Sequence, residues 1–295
     1  MAHKFILLLF LMLIIISCKT IELEEFYTYK TQMTHPLTYG GFFNNSTAYT
    51  VGRSGSAFVS HNKGESFTYG KNTAACLFGL DIISENQAWA CGNLGNIIVT
   101  VDGGKIWKKV NDFGPKEPNH CRYLSFLDQQ TGWIASPKLL ASTQDSGKTW
   151  EPIKLPEQDT KISAIFLRSK KEGYLFDDYK GNLYITADGG QNWLTIATGE
   201  KAVQKQSQEG PTAIVRFKDT ESGLIIFNNF SRDEKWVLIW TENGGKSWNK
   251  SKIAIPMGYI YLSKDNKIIT ITDSFGKMTA YKIDMFICES GMSQG

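Results

Sequence analysis

The sequence predicts an all-β chain folded as a single six-bladed β-propeller, with a short N-terminal strand closing the last blade. Three observations predict it. A turn motif recurs five times, short apolar or alternating strands flank each copy, and no stretch beyond the N-terminal apolar run holds the 3.6-residue period of an amphipathic helix. Eight Trp, 27 Gly and 13% aromatics suit strands joined by tight turns. With 42% apolar and 21% charged residues the chain has globular composition, and a net charge of +3 offers no basic surplus for nucleic acid.

The first segment reads as an address. Lys4 precedes an unbroken apolar run from Phe5 to Ile16, too short to span a bilayer core and of the length of a secretory signal. It ends Ile15-Ile16-Ser17-Cys18, which resembles the bacterial lipobox, where the Cys is lipidated and the preceding residues are removed. The expected division is a signal peptide over 1–17, a lipidated tether over 18–25, a propeller over 26–286 and a tail over 287–295. Lys19 after the Cys implies sorting to the outer membrane if the source is Gram-negative.

The motif follows. It reads SHNKGESF at 60–67, TVDGGKIW at 100–107, TQDSGKTW at 143–150, TADGGQNW at 186–193 and TENGGKSW at 241–248. Its third position is Asn62, Asp102, Asp145, Asp188 and Asn243, at spacings of 40, 43, 43 and 55. Its fifth is Gly64, Gly104, Gly147, Gly190 and Gly245, and its eighth is Phe67, Trp107, Trp150, Trp193 and Trp248. Asp or Asn can accept hydrogen bonds from backbone N–H groups just ahead in its loop. Gly supplies a positive φ, and the ring can pack between units. Five copies of a catalytic acid would serve no purpose, so these carboxylates read as turn staples.

Around each motif lie four short strands. Leu77–Ile82, Ala88–Gly92, 96–100 and 107–110 surround the second, and Ala164–Leu167, Gly173–Asp177, Asn182–Thr186 and 193–196 the fourth. That is the pattern of a propeller blade. The motif is similar to the Asp-box, or bacterial neuraminidase repeat. Paired with Ala88-Trp89, Gly132-Trp133 and Gly173-Tyr174 and with the Gly95-Asn96-Ile97 and Gly181-Asn182-Leu183 turns, it resembles the photosystem II stability/assembly-factor propellers. The resemblance implies a non-catalytic protein- or glycan-binding or assembly module. With the lipobox it implies a place in the cell envelope, held to the membrane lipid through Cys18, with no cofactor and no metal.

Five units carry the box, and a sixth follows at 259–262, 267–271 and 277–283 without one. At roughly 43 residues per blade, six blades fit the length better than seven. Residues 25–30 (EFYTYK) alternate and could supply the missing outer strand.

By the alternation of turns all boxes share one face, and ligand sites in related propellers lie on the other. On that second face most turns are short, such as Arg53-Ser54-Gly55 and Ser136-Pro137-Lys138. The fifth blade instead has Asn228–Lys235 and a long approach over 194–212. Phe230 as an apolar anchor, with Arg232, Asp233, Lys201 and Lys205 as a charged rim, is the first candidate binding site, unless Phe230 folds back as a local plug. The second candidate is the channel mouth near Arg53, Arg122 and Asp177.

A sialidase-like or other carbohydrate-active enzyme is the rival reading, and a structural envelope component a third. Glycoside hydrolysis needs two carboxylates facing one bond. The acidic pairs Asp177-Asp178 and Asp233-Glu234 read as solvated turn charges, and the Phe/Tyr-Arg-Ile-Pro motif of sialidases is absent. Besides Cys18 there are Cys76, Cys91, Cys121 and Cys288, which permit disulfides in an exported protein without fixing the pairing. His120 beside them has no Cys-x-x-Cys pair to complete a zinc site.

Overall fold

A computed structural model describes residues 24–30, 37–71, 75–110, 120–202, 211, 213–228, 236–253, 255–256, 258–273 and 277–282. They form six four-stranded antiparallel sheets. The first five blades are each built from four consecutive strands. Their first strands are Leu37–Phe42, Leu77–Ile82, Tyr123–Phe126, Ala164–Leu167 and Ala213–Phe217. The sixth blade runs Tyr259–Leu262, Ile268–Thr272 and Lys277–Lys282, and takes its outer strand from Glu24–Lys30. First strands of successive blades touch one another, and that of blade 6 returns to that of blade 1, so the ring is closed. Closure covers the strand edges that would otherwise invite pairing with other chains. The only helical turns among the described residues are two three-residue 3₁₀ turns, Arg53–Gly55 and Asn93–Gly95.

The core lies between blades rather than within one. An aromatic on the second strand of one blade lies flat on the next: Trp89 stacks on Phe126 and Tyr174 on Phe217, both at 4.1 Å between ring centroids. Trp133 takes the same place against Gly173, where a Cβ would come within 2.1 Å of its ring. Only glycine allows that approach. The Gly-Trp and Gly-Tyr pairs of the sequence are thus the two halves of one inter-blade joint.

The strand bounds need small corrections. The fourth strand of blade 2 shrinks to Lys108–Lys109, because Trp107 is drawn inward and buried. Leu194–Ala197 is the outer strand of blade 4, paired with Asn182–Ile185, so the approach to blade 5 starts only at 198.

Cys91 and Cys121 are joined in a disulfide, with their Cα atoms 5.5 Å apart. It ties the second strand of blade 2 to the start of blade 3, where the Cys121 N–H also donates to the Gly92 carbonyl at 3.0 Å. Cys76 is a free thiol, and Cys288 lies outside the described residues.

Candidate functional site

The five boxes share one geometry. In each, the first-position hydroxyl accepts from the Gly N–H, at 2.8–2.9 Å, and donates to the Asp or Asn Oδ1. That Oδ1 also accepts from the N–H four residues on: Ser66, Ile106, Thr149, Asn192 and Ser247. Gly64, Gly104, Gly147, Gly190 and Gly245 all hold positive φ. N–H donation, led by Ile106, Thr149 and Asn192, pulls the carboxyls of Asp102, Asp145 and Asp188 down, the latter two to about 2. The closing rings face the preceding blade: Trp107 meets Tyr49 at 6.1 Å, Trp193 meets Trp133 at 6.0 Å, and Phe67 packs on the cluster of Phe42 and Met278. Trp150 and Trp248 are half-buried in the same position. Each box acid is thus engaged in its own loop through Oδ1.

Each box also docks on the first turn of its own blade. The N–H groups of Lys63, Gly103, Ser146, Gly189 and Gly244 donate to the carbonyls of Ser46, Asn86, Gln130, Lys171 and Glu221. Those turns are stapled by Asn44, Ser84, Asp128, Ser169 and Asp219, a second set of caps whose Asn/Asp/Ser-x-x pattern was readable but was not singled out. This is the box face. The opposite, far face carries the blade-to-blade connections and the second-to-third turns.

The six first strands surround a central channel that opens to solvent. Tyr39, Tyr123 and Tyr261 line it together with Arg122 and Arg216. Burial pushes all three phenols well above their usual range. At the box end a lysine crosses the channel. Lys264, from the first turn of blade 6, donates to Asp81 Oδ2 of blade 2 at 3.0 Å and to the Phe126 carbonyl of blade 3 at 2.9 Å. Asp81 Oδ2 also accepts from the Phe126 N–H at 2.7 Å. Blade 3 stands opposite blade 6, so this network spans the ring. Neither Asp81 nor Lys264 was singled out from sequence, although a carboxylate in the apolar strand LFGLDI was a signal.

Arg216, on the first strand of blade 5, lies 5.0 Å over the Phe166 ring of blade 4 and donates to the Val215 carbonyl at 3.0 Å. Arg122 is half-buried beside Tyr123, its backbone fixed by the adjacent Cys121 disulfide and by an N–H bond to the Ala135 carbonyl. The Nε atoms of Arg122 and Arg216 are buried with no acceptor among the described residues. Two guanidinium groups therefore line one channel with donor capacity to spare.

The candidates on the far face divide. Arg53 is exposed in its 3₁₀ turn and Lys201 is exposed beyond the outer strand of blade 4. Phe230, Arg232, Asp233 and Lys205 lie outside the described residues, as does Cys18. The reading of Asp177 and Asp178 as solvated is corrected: both are fully buried. The connection from blade 3 folds over them. Asp177 accepts from the N–H groups of Lys161, Tyr179 and Lys180 at 2.8–3.0 Å, and Asp178 accepts from the Ser163 hydroxyl at 2.5 Å. They are structural acceptors rather than a facing acidic pair. Among the described residues no three of His, Cys, Asp and Glu gather into a metal site.

The photosystem II assembly lipoprotein Ycf48 of Synechococcus sp. (strain CC9902) is 32% identical over 119 residues, 38% of this chain and 34% of that protein. The chloroplastic photosystem II stability/assembly factor HCF136 of Arabidopsis thaliana is 30% identical over 112 residues, 36% of this chain and 25% of that one. These alignments thus span about a third and a quarter of the relatives' lengths. A solved structure described as YCF48 bound to D1 peptide superposes with a TM-score of 0.59 at 15% identity, over 92% of this chain and 99% of that one. Propellers of a lyase and a xyloglucanase superpose similarly, so the fold by itself does not separate binding from catalysis. The profile of the family described as photosynthesis system II assembly factor YCF48 matches residues 71–225, slightly more than half of the sequence. By that match, with its boxes and its six-bladed ring, the chain belongs to the YCF48 assembly-factor family of Asp-box propellers.

Proposed function

We propose that the protein is a non-catalytic, lipid-anchored binding module of the bacterial cell envelope, holding a segment of a protein partner on the far face over the channel mouth. In this reading residues 1–17 are removed, Cys18 is lipidated, 18–25 form a tether, 26–286 the propeller and 287–295 a tail. The observation that carries it is the one-ended channel: Lys264, Asp81 and Phe126 bridge its box end, while Arg122 and Arg216 offer unused buried donors along it. Spare guanidinium donors suit backbone carbonyls or a carboxylate of a peptide. Phe230, Arg232, Asp233, Lys201 and Lys205 are the further residues proposed to meet the partner, together with Arg53. A family member solved with a D1 peptide, and relatives named as assembly factors, favour a protein partner over a glycan. Against an enzyme stand the engaged box acids and the buried Asp177-Asp178 pair.

The test is site-specific photo-crosslinking in the native envelope, with benzoylphenylalanine in place of Lys138 on the far face or Lys246 on the box face. The expected result is one partner captured through position 138, reduced about tenfold by Arg122→Glu. Capture through position 246 alone, or glycoside turnover abolished by removing a far-face carboxylate, overturns the reading.

A further inference from the structure

The strand that closes the ring also fixes where the chain enters it. Glu24 pairs with Lys282, and Lys30 with Lys277. In the five boxed blades the third strand runs from the far face to the box face, because the box follows it, and the same alternation of antiparallel strands gives blade 6 the same direction. The third strand of blade 6 therefore starts at Lys277 on the far face and ends at Lys282 on the box face. Its antiparallel partner begins at Glu24 on the box face. Five residues lie between Cys18 and Glu24, six Cα–Cα steps with a reach of about 20 Å at full extension.

A second, independent observation lies on the same face. At the seventh box position Ser66, Thr149, Asn192 and Ser247 hydrogen-bond, side chain to side chain, with the box Asn or Asp. Blade 2 has Ile106 there, which cannot, and it is 58% exposed. The second position of the same box is Val101, 48% exposed, where the other boxes have His61, Gln144, Ala187 and Glu242. Box turns need neither apolar group, and Lys105 stands exposed between them. An apolar pair flanking a lysine is the chemistry of a headgroup–acyl boundary.

We propose that the box face is the membrane-facing side of the anchored propeller, with Val101 and Ile106 seated in the surface of the bilayer that holds the lipid. This rests on the reading of Cys18 as the anchor. It deepens the proposed function, since it turns the far face away from the membrane towards the partner. The occupant is the bilayer because the tether brings that surface within reach of the box face, whereas nothing brings a second copy there.

The test uses the full-length, lipidated protein in vesicles of phosphatidylethanolamine and phosphatidylglycerol. Flotation reads the anchor. Acylation of lysines by a membrane-impermeant reagent, read by mass spectrometry, gives the orientation. Lys63, Lys105 and Lys246 on the box face should react at least about threefold more slowly in vesicles than in detergent, while Lys138 and Lys201 on the far face should not change. A V101E/I106E variant should still float but lose the protection of Lys105; both side chains are half-exposed, so the fold should tolerate it. A wild-type protein that fails to float sinks the anchor reading and this inference with it. Flotation with box and far lysines equally reactive, or with Lys138 protected instead, overturns the orientation alone. Box-face protection that persists in detergent assigns the face to a protein contact and also overturns it.

Discussion

Lys264 and Asp81 lie 183 residues apart in the chain and 3.0 Å apart across the channel. Asp81 holds two donors at once, the Lys264 ammonium and the Phe126 N–H. Burial pulls the ammonium below the usual lysine range, with the Asp81 charge opposing that pull. The side chain of Asp81 is 4% exposed and that of Lys264 is 26% exposed, so the two partners are not equivalent.

Asp81→Ala leaves both the Lys264 ammonium and the Phe126 N–H without their acceptor, whereas after Lys264→Met the Asp81 carboxylate still holds the Phe126 N–H. Asp81→Ala should cost about 3 kcal/mol of stability and Lys264→Met only about 1–2 kcal/mol. The double variant should cost less than the sum. Urea unfolding of the three proteins measures this, and an Asp81→Ala cost below that of Lys264→Met would contradict it.

The boxes predict an acid limb. Asp145 and Asp188 titrate near 2 in the fold against a usual value near 4, so their contribution is complete above about pH 4 and is lost as pH falls towards 2. Asp145→Asn keeps the Oδ1 acceptor, as Asn62 and Asn243 do in their boxes. It should flatten this limb while lowering the denaturation midpoint at pH 7 less than Asp145→Ala does. Unfolding midpoints at pH 7, 4 and 2.5 decide it.

The disulfide closes a loop between positions separated by 30 residues. Replacing Cys91 and Cys121 together by Ala should cost about 2–4 kcal/mol and make unfolding insensitive to reductant. Because Arg122 follows Cys121 directly, partner binding should fall in the same variant even at temperatures where it is fully folded. Unchanged affinity would separate Arg122 from the bridge.

At the proposed apolar anchor, Phe230→Ala should weaken partner binding by about 1–2 kcal/mol with unfolding unchanged. Arg232→Ala should act mainly on association rate and its salt dependence. Calorimetry and stopped-flow mixing with the crosslinked partner measure both, and full affinity in a protein shortened over 228–235 would move the site to the channel alone.

The boxes were legible because all their bonding is local: hydroxyl, carboxylate and glycine lie within five residues of one another. The closing strand was legible because a blade with three strands lacks an edge partner, and 25–30 alternates. Lys264 with Asp81 was not legible, since nothing local marks which of the chain's lysines crosses a channel. Asp177 and Asp178 misled for a related reason. A doublet in a turn is usually wet, and only the passage of residues 161–163 over it keeps water out. Cys91 and Cys121 are two of four thiols in the sequence after Cys18, and their pairing depends on how blade 3 starts beside blade 2.

The closing strand has a consequence for biosynthesis. Blades 1 to 5 can each be completed as their four successive strands emerge, but blade 6 needs both Glu24–Lys30 and Lys277–Lys282. The N-terminal strand must therefore wait, unpaired, through the synthesis of some 250 residues, and no closed ring exists before then. A truncated product that stops in blade 6 leaves an open five-bladed arc with two bare edges. Those bare edges would pair with other chains, whereas the finished ring presents none.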